Sequence, residues 1–174
     1  MRVFKDIVGY SHDELCSDAY AMNEIFNGLI FEVQAKMVTI DLDVKVNTGA
    51  NAAAEETEED EGVDAAGVQQ VINIVNALRL VETSFDKKSY TGYIKAYMKD
   101  LMAKLEESNP GRVADFKKDA TDFVKSVLGK FDEYKFYTGE NMDADGHVAL
   151  MYYKPGETDP IFLYFKDGLE SVKY

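Results

Sequence analysis

Apolar side chains recur at Tyr90, Tyr93, Ile94, Tyr97, Met98, Leu101, Met102 and Leu105. Steps of three and four residues lay one apolar stripe along about five helical turns. Ser84 is placed to cap its start, with Asp86 in the first turn against the positive end of the helix dipole. A second stripe, Val113, Phe116, Ala120, Phe123, Val124, Val127, Leu128 and Phe131, predicts another helix. Its N-cap is Asn109 and its first residue Pro110, where a missing N–H costs nothing. So short a break predicts an antiparallel helical hairpin. Both stripes read first as core packing.

Elsewhere the pattern is that of strands. Leu29 to Val38 alternates, Val71 to Val75 is rich in β-branched residues, and Glu133–Thr138, His147–Lys154 and Ile161–Lys166 follow. The last two flank a Pro155-Gly156 turn and predict a hairpin. Strands on both sides of a helical pair give an α+β class rather than alternating βαβ units. At 174 residues, with 46% hydrophobic and 12% aromatic content, the chain has the material for one domain, residues 1–174.

Charge divides the chain. The net charge is −13. From Val46 to Leu78 there is no Lys or Arg, while Glu55, Glu56, Glu58, Glu59, Asp60, Glu61 and Asp64 are all acidic. Few large apolar residues accompany them, which predicts a flexible acidic loop over 47–67. Residues 85–131 hold ten bases against seven acids, a local charge of +3. A basic hairpin on an acidic body can dock an acidic partner while the body repels others. The overall sign argues against nucleic acid as the main partner. Charges near the amino terminus and the lack of an 18-residue apolar run predict a soluble, cytoplasmic protein with no membrane partner.

Enzyme signatures are missing: no P-loop, nucleophile elbow, dinucleotide fingerprint or zincin motif appears. His12 and Cys16 would share one face of a helix, but no third group is at hand to orient them as a nucleophile pair. The chain reads as non-enzymatic, with no tightly bound cofactor. Cys16 is the sole cysteine, so it excludes internal disulfides and leaves only an intermolecular one under oxidation. Asn141, Asp143, Asp145 and Gly146 match the opening of an EF-hand loop, yet position twelve falls on Tyr152 instead of Glu. Asp145-Gly146 is better read as a tight turn between strands. Glu140, Asp143 and Asp145 remain candidate ligands for a weak calcium site.

One stretch is distinctive. Phe136-Tyr137-Thr138-Gly139-Glu140-Asn141-Met142, followed by Asp145-Gly146 and Val148-Ala149-Leu150, resembles the C-terminal signature of the translationally controlled tumour protein family. Gly49 to Glu56 resembles that family's other signature, and Ser11-His12-Asp13-Glu14-Leu15, Glu82-Thr83-Ser84-Phe85 and Phe165 to Glu170 support the match. The resemblance implies a β-tent of small antiparallel and mixed sheets with a projecting helical hairpin and an acidic loop. It also implies a cytoplasmic, multi-partner protein that binds calcium and tubulin, stabilises microtubules and opposes cell death. Within the hairpin, Lys95, Lys99, Lys117 and Lys118 are the candidate tubulin contacts. A second implied role is regulation of a Ras-like small GTPase by nucleotide exchange or a chaperone-like action, for which the matching acidic residue is Glu14. A third reading is an interaction scaffold that needs no metal.

Overall fold

Leu163 and Phe162, neighbours on one strand, sit in two different hydrophobic cores. The computed structural model describes residues 1–41 and 68–173, so the acidic segment 47–67 lies outside the described residues. The elements are β1 (Arg2–Asp6), β2 (Glu14–Ser17), β3 (Met22–Ile25), β4 (Ile30–Gln34), β5 (Met37–Asp41), β6 (Val68–Ile72), α1 (Asn73–Leu78) and β7 (Val81–Thr83). They continue with α2 (Lys87–Ser108), α3 (Val113–Gly129), β8 (Lys135–Thr138), β9 (Ala149–Tyr152), β10 (Ile161–Phe165) and β11 (Leu169–Lys173). A six-stranded sheet runs in the order β3-β4-β10-β9-β8-β7, a three-stranded sheet is β11-β1-β2, and β5 pairs with β6. Every pairing is antiparallel. The α+β class expected from the sequence is therefore the class observed.

The six-stranded sheet forms the middle layer. Alternate residues such as Ile30, Phe136, Leu150, Leu163 and Phe165 face the hairpin stripe of Tyr90, Ile94, Tyr97, Leu101, Phe116, Phe123 and Val127. Their neighbours Val33, Tyr137, Met151, Phe162 and Tyr164 face Leu15, Cys16, Ile74 and Leu80 on the opposite side. The period of two along each strand thus fills two cores at once. Every residue of β10 is buried for this reason. The predicted β9–β10 hairpin holds, with Leu163 opposite Leu150.

Several boundaries differ from the sequence reading, each through a specific backbone partner. Helix α2 is capped by Asp86 rather than Ser84: the Asp86 carboxylate accepts the Ser89 N–H at 2.7 Å, and the Asp86 N–H donates to the Ser89 hydroxyl at 3.0 Å. That reciprocal pair satisfies two donors at the helix end. Asn109 makes no side-chain cap bond, and Pro110–Arg112 is a 3₁₀ turn, so the second helix starts at Val113. Leu29 to Val38 is broken between sheets, because Ala35 N–H donates to the Pro160 carbonyl at 3.0 Å and Met37 N–H to the Asp159 carboxylate at 2.9 Å. The strand ends at Ile72 instead of Val75. There the Asn73 side-chain oxygen accepts the N–H groups of Ile74 at 2.7 Å and Lys36 at 3.0 Å, opening α1. Glu133 belongs to a 3₁₀ turn, and the strand after it begins at Lys135.

Candidate functional site

The buried stripes of α2 and α3 both rest on the middle sheet, so their opposite sides share one outer face. On α2 that side carries Lys88, Lys95 and Lys99, all exposed and spaced i, i+7 and i+11. On α3 it carries Lys118 and Lys125, also exposed and one double turn apart, with Lys117 exposed on the flank. No acidic residue occurs between Lys87 and Lys99. The four predicted lysines, Lys95, Lys99, Lys117 and Lys118, thus belong to a larger outward face. Lys88 and Lys125 are additional members, and their seven-residue spacing from Lys95 and Lys118 was the available signal. The same spacing places the exposed Glu106 on α2 and Asp115 and Asp122 on α3 beside these lysines, so the pull on anionic surfaces is concentrated along Lys88 to Lys99 and acts over a range set by ionic strength.

A second feature lies where the loops 7–13 and 139–148 meet. Asp6, Asp13, Asp143 and His147 are all buried there. One Asp6 oxygen accepts N–H groups from Val8 at 2.9 Å and Gly9 at 3.2 Å, and the other accepts the His147 N–H at 2.9 Å. The Asp13 carboxylate accepts the Asn141 backbone N–H at 3.1 Å as well as its side-chain amide. Asp143 accepts N–H groups from Ser11 at 3.2 Å and Asp145 at 3.1 Å. Tyr93, from α2, donates its hydroxyl to the Gly146 carbonyl at 2.7 Å and accepts the Val148 N–H at 2.9 Å. Burial lifts its phenol well above the ordinary range. At Gly9 and Gly146, an added Cβ would collide with the carboxylates of Asp143 and Asp6, so only glycine admits this approach. The two loops form one hydrogen-bonded platform on which Tyr10, 77% exposed, and Met142, 62% exposed, flank the Ser11–Asp143 bond.

The expected calcium ligands are not gathered together. Glu140 reaches Arg79 at 3.0 Å in an exposed ion pair, Asp143 is buried among N–H donors, and Asp145 is exposed. Among the described residues, no group of three His, Cys, Asp or Glu side chains is placed to hold a metal ion. The expected Asp145-Gly146 hairpin turn is not formed: the Gly146 N–H closes on the Asp143 carbonyl at 3.1 Å, which centres the turn on Ala144-Asp145 within the loop 139–148 between β8 and β9. Glu14 is exposed as the first residue of β2, between the buried Asp13 and Leu15.

His12 and Cys16 do not form a pair. His12 is exposed with its Nδ1 at 3.1 Å from the Asp6 carbonyl, whereas Cys16 is fully buried in a strand. Burial pushes the Cys16 thiol up to about 12, which leaves little of the thiolate that reacts. The intermolecular disulfide allowed by the sequence is closed off by that burial.

Three of the four buried anchors were not found as functional or structural residues from sequence. Asp6, Asp13 and His147 serve backbone groups distant in the chain, and a lone carboxylate carries no periodic signal. The family model for translationally controlled tumour protein matches residues 1–170. A homologue from Dictyostelium discoideum, translationally-controlled tumor protein homolog 1, is 87% identical with both chains covered in full. The solved structure of the related protein p23fyp from Schizosaccharomyces pombe superposes with a TM-score of 0.82 at 46% identity, again with both chains fully covered. That from Caenorhabditis elegans gives a TM-score of 0.70 at 30% identity over 100% of this chain and 99% of its own. With the family model matched over residues 1–170 and these relatives covered from end to end, the chain belongs to the translationally controlled tumour protein family.

Proposed function

We propose that the chain is a non-enzymatic cytoplasmic binding protein whose helical hairpin docks acidic protein surfaces, tubulin being the ligand the family resemblance implies. The observation that carries this reading is the outward lysine face of Lys88, Lys95, Lys99, Lys118 and Lys125 on an otherwise acidic chain of net charge −13. Complementary charge speeds encounter and fixes orientation, while the acidic remainder discourages attachment elsewhere. Co-sedimentation with microtubules at rising salt tests it. Binding should fall steeply with salt and with paired Lys95→Glu and Lys99→Glu or Lys117→Glu and Lys118→Glu changes. Indifference to both would remove the electrostatic basis of the proposal.

A second reading is supported by Glu14, which stands at the rim of the carboxylate-anchored platform. An acidic side chain presented there could repel the phosphates of a nucleotide bound to a Ras-like GTPase by like charge, and so favour its release. Release of labelled GDP should then be faster with the unaltered chain than with Glu14→Ala. Equal rates would leave Glu14 as a surface acid.

A further inference from the structure

The tip of the β3–β4 hairpin is built on three successive residues with positive φ: Phe26 at 55°, Asn27 at 58° and Gly28 at 84°. The Leu29 N–H closes the turn on the Phe26 carbonyl at 3.1 Å, leaving Asn27-Gly28 as its central pair. Both φ angles are positive at those positions, which is why the Asn-Gly pair suits this two-residue turn. A bulky residue such as Phe26 seldom adopts such a φ. Here its ring meets Phe123 of α3 edge-on, with centroids 5.2 Å apart. Asn27 is exposed, and its side-chain amide donates to the Asp119 carboxylate of α3 at 3.4 Å. A Cβ on Gly28 would lie 3.4 Å from a Glu24 carboxylate oxygen, so a second acid borders the turn. This is the one Asn-Gly dipeptide in the chain.

We propose that Asn27-Gly28 is a site of spontaneous deamidation, and that its conversion releases the β3–β4 tip from α3. The Gly28 backbone nitrogen, unhindered by any side chain, attacks Cγ of Asn27. The new N–Cγ bond forms as the Cγ–Nδ2 bond breaks, and the Gly28 amide proton is relayed through solvent to Nδ2, which leaves as ammonia. Water then opens the five-membered imide at either carbonyl, giving aspartate or isoaspartate at position 27. No oxidant or reductant takes part. Aspartate replaces the donor that faced Asp119 with a second carboxylate, turning an attraction into a repulsion between like charges. Isoaspartate adds a methylene to the main chain, which the two-residue turn has no register to absorb. Either product removes the lateral hold on Phe26, whose αL backbone is kept in place by its contact with Phe123.

The test is prolonged incubation of the full chain at mildly alkaline pH, folded and in urea, followed by peptide mass spectrometry and ion exchange. In the folded chain the residue-27 peptide should convert ahead of every other asparagine peptide, yielding both acid isomers and a species with one more negative charge. NMR of that species, and of Asn27→Asp, should show loss of the Phe26–Phe123 ring contact, restored in Asn27→Asp by the added change Asp119→Asn. Conversion in urea with none in the folded chain would overturn the proposal, because the turn itself would then be protective. So would an acid form that keeps the ring contact without the Asp119 change.

Discussion

The Asp6 carboxylate accepts the backbone N–H of His147 at 2.9 Å, joining the end of β1 to the loop before β9 across 141 positions of sequence. The other Asp6 oxygen serves Val8 and Gly9, so one side chain satisfies three buried or half-buried donors. Both lone-pair-rich ends are consumed, and the loop bearing Tyr10 is held to the loop bearing Met142. Asp6→Ala should therefore cost about 3 kcal/mol or more, because each abandoned donor carries its own desolvation penalty. Asp6→Asn should cost less, since one oxygen is kept. Urea unfolding of both variants checks the order; a loss below about 0.5 kcal/mol for Asp6→Ala, the level of ordinary surface changes, would show that water replaces the carboxylate.

His147 is fully enclosed, and its Nε2 accepts the Phe165 N–H at 3.0 Å, which requires the neutral ring with its proton on Nδ1. Burial pushes its pKa down from 6.5 to about 4, with Asp6 pulling modestly the other way. A depressed histidine favours the unfolded state as acid is added: the unfolded ring takes a proton near pH 6.5, while the folded ring refuses it until about 4. This contribution is fully present above pH 6.5 and is lost between there and about 4. The loss should amount to roughly 3 kcal/mol over that interval. Thermal melts from pH 7 to pH 4, compared with His147→Gln, should show a steeper fall in the unaltered chain; parallel curves would rule out His147 as the cause.

What could be read from sequence was whatever repeats. The stripes of α2 and α3 were legible because Tyr90 to Leu105 and Val113 to Phe131 each bury one side against a single sheet. The strands were legible in kind but not in extent. Alternation in β10 gave its two faces, while the cut between Gln34 and Met37 depends on Pro160 and Asp159, more than 120 positions away. The lysine face was half visible, since Lys95, Lys99, Lys117 and Lys118 stood out by local charge, and Lys88 and Lys125 only by helical phase. Asp6 and Asp13 were hidden entirely, because their work is to serve backbone donors brought near by the fold.

Calcium should find no saturable site at Asp143. Its two oxygens are already engaged by Ser11 and Asp145 N–H groups, and an ion would have to displace them. Titration of Ca²⁺ into isotopically labelled protein, with Mg²⁺ as control, should give small, unsaturating amide shifts along the acidic residues 55–64, equal for both ions. Saturating, calcium-specific shifts at the Ser11 and Asp145 amides would mean that the ion does enter the platform.

Cys16 should resist modification until the chain opens. It is fully buried in the core beneath β10, and burial holds its thiol at about 12, leaving almost no thiolate at neutral pH. An aromatic disulfide reagent should label it quantitatively in guanidinium and at the rate of unfolding in buffer. Rapid labelling in buffer would place Cys16 on a locally opening segment.

Arg112, in the turn between α2 and α3, grips Asp167 just before β11: its Nη2 lies 3.0 Å from one carboxylate oxygen and its Nε 3.3 Å from each. Both side chains are largely shielded, 20% and 16% exposed, unlike the open pairs Arg79–Glu140 and Lys166–Glu24. Forked geometry and partial desolvation make this the ion pair with a measurable share in stability. It fastens the far turn of the hairpin to the strand pairing that closes the chain on β1. A double-mutant cycle with Arg112→Ala and Asp167→Ala should return a coupling of about 1–2 kcal/mol, whereas the same cycle at Arg79 and Glu140 should return about 0.5 kcal/mol or less. Raising the salt should erase the second coupling and spare most of the first, because the shielded pair lies beyond easy reach of counterions. Equal couplings at the two sites would mean that the fork adds nothing to simple proximity.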